Sequence, residues 1–107
     1  MDWQNMAGQM LTAAKESAGT SWTSIRTIAK HEFEVLAKRF ASIAEAVATQ
    51  QINKGTARLL YRNAKNQIIA VLAMLSTLIA SAVTKIVNAA VAVVRSTVNA
   101  AVGFSLV

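Results

Sequence analysis

A chain of 107 residues with 54% hydrophobic and 15% charged residues, a formal net charge of +6 and no cysteine has room for one domain and no more. Those totals exclude a disulfide framework and any thiolate metal site, and a single histidine leaves too few ligands for an ordinary zinc centre. Ordinary soluble domains carry about 25% charged residues, so burial, not chemistry, is the first problem this chain poses.

The charge deficit is uneven. Residues 1–45 balance five acids (Asp2, Glu16, Glu32, Glu34, Glu45) against five bases (Lys15, Arg26, Lys30, Lys38, Arg39). Beyond Glu45 there is no acid, only Lys54, Arg58, Arg62, Lys65, Lys85 and Arg95. A one-sided positive charge points to an anionic surface, either lipid headgroups or nucleic acid. The opening Met1-Asp2-Trp3-Gln4 has neither a basic start nor a long apolar run, so no cleavable signal peptide is expected.

In chain order, the first element is a short helix over about residues 3–17, with Trp3, Met6, Met10, Leu11 and Ala14 as its apolar face. Ala18-Gly19-Thr20-Ser21 then offers a C-capping glycine and N-cap candidates. A second helix follows over about 22–50. Its apolar line Ala29, Phe33, Leu36, Phe40, Ile43, Val47 advances in alternating steps of four and three, a helix seam. Ile25, Ile28 and Val35 widen it to the breadth a bundle needs. Lys30–Glu34 and Glu34–Lys38 are four apart and add about 0.2–0.5 kcal/mol each on the outer side. Within this helix, His31-Glu32-Phe33-Glu34-Val35 begins like a zincin motif, but Val35 stands where the second histidine belongs.

The turn Gln50 to Thr56 is short, which makes the flanking helices antiparallel neighbours; Asn53 is its preferred N-cap and Thr56 the alternative. After it, no Pro or Gly interrupts the chain until Gly103. The pattern therefore predicts one long helix over about 54–102. At 1.5 Å per residue it would reach roughly 70 Å, against roughly 43 Å for the second helix. The overhang, about residues 85–107, needs cover from the first helix, a second copy or lipid; an unsignalled bend near Ser96-Thr97 is the other solution. Val and Ile are dense here, but interleaved Ala pairs argue against strands. Val87-Asn88-Ala89-Ala90-Val91 returns eleven residues on as Val98-Asn99-Ala100-Ala101-Val102, three helical turns that keep Asn88 and Asn99 on nearly one face.

Four patterns could carry function. Asn66 to Thr84 is uncharged, and its apolar part, Ile68 to Val83, would reach about 24 Å as a helix, short of the roughly 30 Å hydrocarbon core unless it continues to Val94. Ala73, Thr77, Ala80 and Thr84 form a small-residue side that admits a close neighbour. Lys85, Asn88, Arg95 and Asn99 recur at 3, 7 and 4, a polar stripe that is either solvated or, in an oligomer, lines an aqueous groove. Lys54, Arg58, Arg62 and Lys65 step by 4, 4 and 3, a basic ladder suited to anionic headgroups or to phosphates, with no nucleic-acid motif beside it. No catalytic constellation emerges: lone His31 supplies no triad, no glycine cluster forms a phosphate loop, and no acids pair in the apolar half.

The segment His31 to Arg62, with Ala57-Arg58-Leu59-Leu60 opening the last helix, then Val87-Asn88-Ala89-Ala90 and Gly103-Phe104-Ser105-Leu106-Val107, resembles a set of short all-helical bacterial proteins of unknown function. That resemblance implies helices and transfers no activity, substrate or site residue.

The sequence thus predicts a single all-α domain over 1–107: an antiparallel helical hairpin with a long apolar C-terminal helix and a short N-terminal helix. The expected function is non-enzymatic self-assembly through that C-terminal helix, on or in a bilayer, with membrane association favoured over a cytoplasmic location. The alternatives are a soluble homo-oligomer or filament subunit and, less favoured, a small basic nucleic-acid binder. Ile68, Leu72, Leu75, Ile79, Ile86, Val91 and Val98 are the expected self-association residues, with Asn88 and Asn99 setting register. Lys54, Arg58, Arg62 and Lys65 are expected to hold an anionic lipid surface; no cofactor, metal or small-molecule substrate is expected. If the tail helix is covered only by other copies, Val91→Asp and Val98→Asp should abolish assembly.

Overall fold

The computed structural model describes residues 2–106. Among the described residues are five α-helices and no strand: α1 (Trp3–Ala18), α2 (Trp22–Ala48), α3 (Lys54–Leu75), α4 (Ala80–Ala92) and α5 (Arg95–Val102), with a 3-10 turn at Gly19–Ser21 joining the first two. The chain is all-helical, as its periodicity predicts.

Local chemistry sets the first three helices. The Asp2 carboxylate accepts the backbone N–H groups of Gln4 and Asn5 at 3.1 and 3.2 Å, satisfying two donors that the helix start leaves open. Gly19 ends α1 at φ 56°, a backbone angle that costs glycine little. Helix α2 buries Ala29, Phe33, Leu36, Phe40 and Ile43 of the seam read from the sequence, and Ile25 of the three residues that widen it; Val47, Ile28 and Val35 are only partly buried. Asn53 caps α3, its Oδ1 accepting the Thr56 N–H at 2.8 Å.

Cross-helix contacts establish the topology. Lys38 Nζ lies 4.6 Å from the ring centre of Trp3, so α1 returns along α2. Arg39 donates to Gln67 Oε1 at 2.8 Å, and the Phe40 and Tyr61 rings sit 5.3 Å apart, so α3 runs antiparallel to α2. Lys65 donates to Asn88 Oδ1 at 3.3 Å, so α4 runs back down α3, and it closes the ring by packing against α1. The result is an up-down-up-down four-helix bundle measuring 42 × 22 × 19 Å. Because α1 and α4 are shorter than α2, one end of α2 would be bare; α5 packs there.

The expected continuous helix over 54–102 is therefore corrected: three helices occupy that stretch. The first break is at Ser76. Its backbone is extended (φ −116°, ψ 173°), and its Oγ accepts the Leu78 N–H at 3.2 Å. A serine hydroxyl offers the backbone an alternative to the helical ladder, and the turn it stabilises lets Val83, Ile86, Val87 and Ala90 be buried within the bundle. A rod would leave those side chains in water, at a cost of about 1.5–3 kcal/mol for each large one. The second bend, 59° between α4 and α5, falls at Val93-Val94, a few residues before the bend the sequence offered as its alternative. It turns Val94, Val98 and Val102 inward. Gly103, at φ 81°, ends α5 by donating its N–H to Asn99 O.

Among the described residues no single helix is long and apolar enough to cross a membrane; α4 and α5 together meet that test of length and composition only as a bent pair.

Candidate functional site

No buried polar or charged residue occurs among the described residues; their polar and charged side chains lie at the surface or only partly buried. The sequence-predicted residues separate into three groups there.

Of the expected self-association residues, Ile68, Leu72, Ile86, Val91 and Val98 are core residues of the single bundle. Their apolar faces are covered by the chain itself once the tail folds back, which the single-rod expectation did not allow. Leu75 and Ile79 behave differently. They flank the Ser76 turn and stay 57% and 71% exposed, beside Met74 at 74%. Asn88 and Asn99 do not share one aqueous groove, since the bend at Val93-Val94 separates their helices. Asn88 accepts from Lys65, and Asn99 Oδ1 accepts the Leu106 N–H at 2.9 Å. Each amide ties helix to helix or helix to tail within one molecule.

The basic ladder is only partly open. Lys54 Nζ and Arg58 Cζ lie 5.4 and 5.2 Å from the ring centre of Phe104, and Arg58 Nε donates to Ser105 O at 3.3 Å. The C-terminal segment is thus held over the start of α3 by cation–π attraction, worth about 0.5–1 kcal/mol per contact at an exposed site, and by the burial of Leu106. Lys65 is committed to Asn88 and lies 5.8 Å from the Tyr61 ring centre. Arg62 is exposed. Of the four residues expected to meet an anionic surface, three make contacts within the bundle. Sequence reading missed this because Phe104 lies 46 positions beyond Arg58 and no local pattern links them.

Burial pushes the Tyr61 phenol above its ordinary value, and the Arg95 charge opposes the shift without cancelling it. A phenol with a raised folded pKa adds stability that is complete below the unfolded value and is lost as pH climbs through the folded one. The urea midpoint of the wild type should therefore fall more steeply above about pH 10 than that of Tyr61→Phe, the onset set by an unfolded value near 10. Parallel curves would contradict the burial of this hydroxyl.

The third group is what the fold leaves apolar on the outside: Leu59, Leu60, Met74, Leu75, Ile79 and Val93. Four of these six lie on α3. Of this group only Leu75 and Ile79 are among the self-association residues expected from the sequence; Leu59, Leu60 and Met74 belong to a helix with apolar side chains on more than one side. Beside Leu60 a shallow groove of about 220 Å³ runs between α2 and α3, lined by Arg39, Ser42, Ile43, Leu60 and Ala64. A second groove, between α1 and α2, is walled by Leu11, Trp22, Arg26, Thr27 and Lys30. Among the described residues no cluster of three or more His, Cys, Asp or Glu side chains is placed to hold a metal ion.

Against known proteins, no family model, no curated protein and no solved structure matches this chain.

Proposed function

We propose that this chain is a non-enzymatic helix-bundle protein that acts by self-association. The observation that carries this reading is the set of large apolar side chains outside a completed core, with Met74 at 74% and Ile79 at 71% exposed. Scattered apolar residues on a surface are ordinary; contiguous ones mark contact with another apolar surface. Met74, Leu75 and Ile79 bracket one tight turn, and Leu59 and Leu60 occupy the other end of the same α3. The residue inventory supports the non-enzymatic part, for one histidine and five acids give acid–base or nucleophilic chemistry little to work with.

A second reading is peripheral docking on an anionic bilayer, led by the apolar corner. It is favoured by Leu75, Leu78 and Ile79 at the α3–α4 turn and by the absence of any acid after Glu45.

Sedimentation velocity without detergent, together with flotation on vesicles of phosphatidylcholine with and without phosphatidylserine, tests the two. Self-association predicts a mass above the 11.4 kDa of one chain, rising with concentration and independent of lipid. A strict monomer up to about 0.5 mM, a concentration at which even a millimolar dissociation constant would leave a detectable assembled fraction, would end it. A monomer that floats only with the anionic vesicles, and loses that on Leu75→Asp with Ile79→Asp, would install the second reading instead.

A further inference from the structure

Helix α2 carries a ridge of residues four apart, Trp22, Arg26, Lys30, Glu34 and Lys38, which runs along one side of the helix. Between this ridge and α1 lie two recesses. One, of about 360 Å³, is lined by Leu11, Trp22, Arg26, Thr27 and Lys30. The other, of about 320 Å³, is lined by Trp3, Gln4, Ala7, Gly8, Leu11 and Glu34. Leu11 belongs to both, so the two lie end to end as one groove. From Trp22 to Glu34 the groove follows twelve steps of α2, about 18 Å. Lys38, with Nζ 4.6 Å from the ring centre of Trp3, closes the far end. Gly8 keeps that half open: a Cβ there would have no atom within 4 Å.

The floor of the groove is apolar and one rim is cationic. Trp3, Leu11 and Trp22 are partly buried, whereas Arg26 and Lys30 are exposed. Among the described residues neither base is held by a hydrogen bond or an ion pair. Like charges four apart on a helix repel, and an anion set between them removes that repulsion. The Thr27 hydroxyl, on the same turn, adds a donor. Glu34 gives the opposite half a carboxylate, which turns an anionic head away from it. An apolar trough with a few polar groups converging at one end is the ordinary form of a small-molecule site. The occupant that matches it has an anionic head and a hydrocarbon tail. The trough is a slot between two helices rather than a protruding face, so it takes one chain and not the plane of a bilayer.

We propose that the α1–α2 groove binds a free single-chain amphiphilic anion of the fatty-acid class. Its carboxylate lies between Arg26 and Lys30, and its tail runs over Leu11 toward Gly8 and Trp3. The site shares no residue with the exposed apolar set on α3 and the α3–α4 turn, so it stands apart from self-association. An open slot leaves one side of the ligand in water, and a dissociation constant of about 10–100 µM is expected.

The two tryptophans of the chain both line the groove, so binding to the full chain reads directly in their emission. Sodium dodecanoate, kept below its micelle concentration, is expected to bind, and octanoate to bind more weakly by about twofold to fourfold per missing methylene. Dodecyltrimethylammonium, the same tail under a cationic head, should bind at least about tenfold more weakly. Arg26→Ala with Lys30→Ala should weaken dodecanoate about tenfold, the scale of two exposed ion pairs. Gly8→Phe fills the slot and should also lose about tenfold, with a thermal melt unchanged or raised because a helix-interior glycine is replaced. Dodecanoate brominated at its terminal carbon should quench Trp3 in the Trp22→Phe variant more than Trp22 in the Trp3→Phe variant. No binding of dodecanoate up to about 1 mM, where even a very weak site would fill by half, overturns the proposal. So does equal affinity for the cationic amphiphile, unchanged affinity in the Arg26/Lys30 variant, or the reverse order of quenching. Flotation on phosphatidylserine vesicles that the Arg26/Lys30 variant loses, with no binding of monomeric dodecanoate, overturns it in favour of a bilayer surface.

Discussion

Val91→Asp is expected to unfold the monomer rather than merely dissociate an assembly. Val91 is 3% exposed on α4, the helix that closes the bundle against α1 and α3. A carboxylate there has no basic neighbour in the core, since no charged residue is buried among the described residues. It must ionise without a partner, take up a proton at the expense of its ordinary pKa, or drag α4 outward. An uncompensated buried charge costs about 3–5 kcal/mol, against a total stability of about 5–15 kcal/mol for a typical domain. A domain this small belongs near the lower end of that range. The thermal transition should drop by tens of degrees or vanish. Val93→Asp is the matched control: two residues along, Val93 is 48% exposed, and substitutions at such positions stay within about 0.5 kcal/mol. Circular dichroism melts of the two variants decide the matter. Equal, small effects would mean that α4 is not packed into the monomer and that the tail is covered from outside.

Phe40→Ala is the second large effect. Phe40 is wholly buried on α2, midway along the bundle, and its ring lies 5.3 Å from that of Tyr61 on α3 at a 40° tilt. Truncation removes the transfer energy of the ring and leaves a cavity that a four-helix core fills only in part, for a loss of about 3–5 kcal/mol. Part of that is the aromatic pair itself, about 0.5–1.5 kcal/mol beyond area burial. Phe40→Leu keeps most of the volume and should lose less than half as much. Urea unfolding monitored by circular dichroism gives both values from the midpoint at constant slope. A truncation costing under about 1 kcal/mol would contradict the α2–α3 register, because a phenylalanine at a loosely packed contact has little cavity to leave.

The two substitutions bear differently on the tail. If the apolar tail were a rod outside the monomer, Val91→Asp would report on assembly. With the tail folded back it reports on folding.

Much of this architecture was legible in the residues. The 4-3-4-3-4 line from Ala29 to Val47 requires an amphipathic helix that hides one side, and α2 does so. Gly19 and Asn53 mark a helix end and a helix start through local backbone chemistry that needs no tertiary partner. The absence of an acid beyond Glu45 and of any cysteine was likewise a property of composition alone. Three features were decided only by the tertiary structure. Ser76 breaks the helix although serine tolerates helical geometry; the break is favoured because it lets Val83, Ile86 and Val87 be buried against the rest of the chain, a gain that no window of local sequence contains. Phe104 reaches Lys54 and Arg58 across nearly half the chain, so a ladder that reads as open to solvent is partly covered. Finally, α3 is apolar on more than one side, and periodicity cannot say which side a neighbouring helix takes. Only the positions of α2 and α4 leave Leu59, Ala70 and Met74 facing outward, because burial is a property of what surrounds a helix, whereas the sequence records only what the helix itself carries.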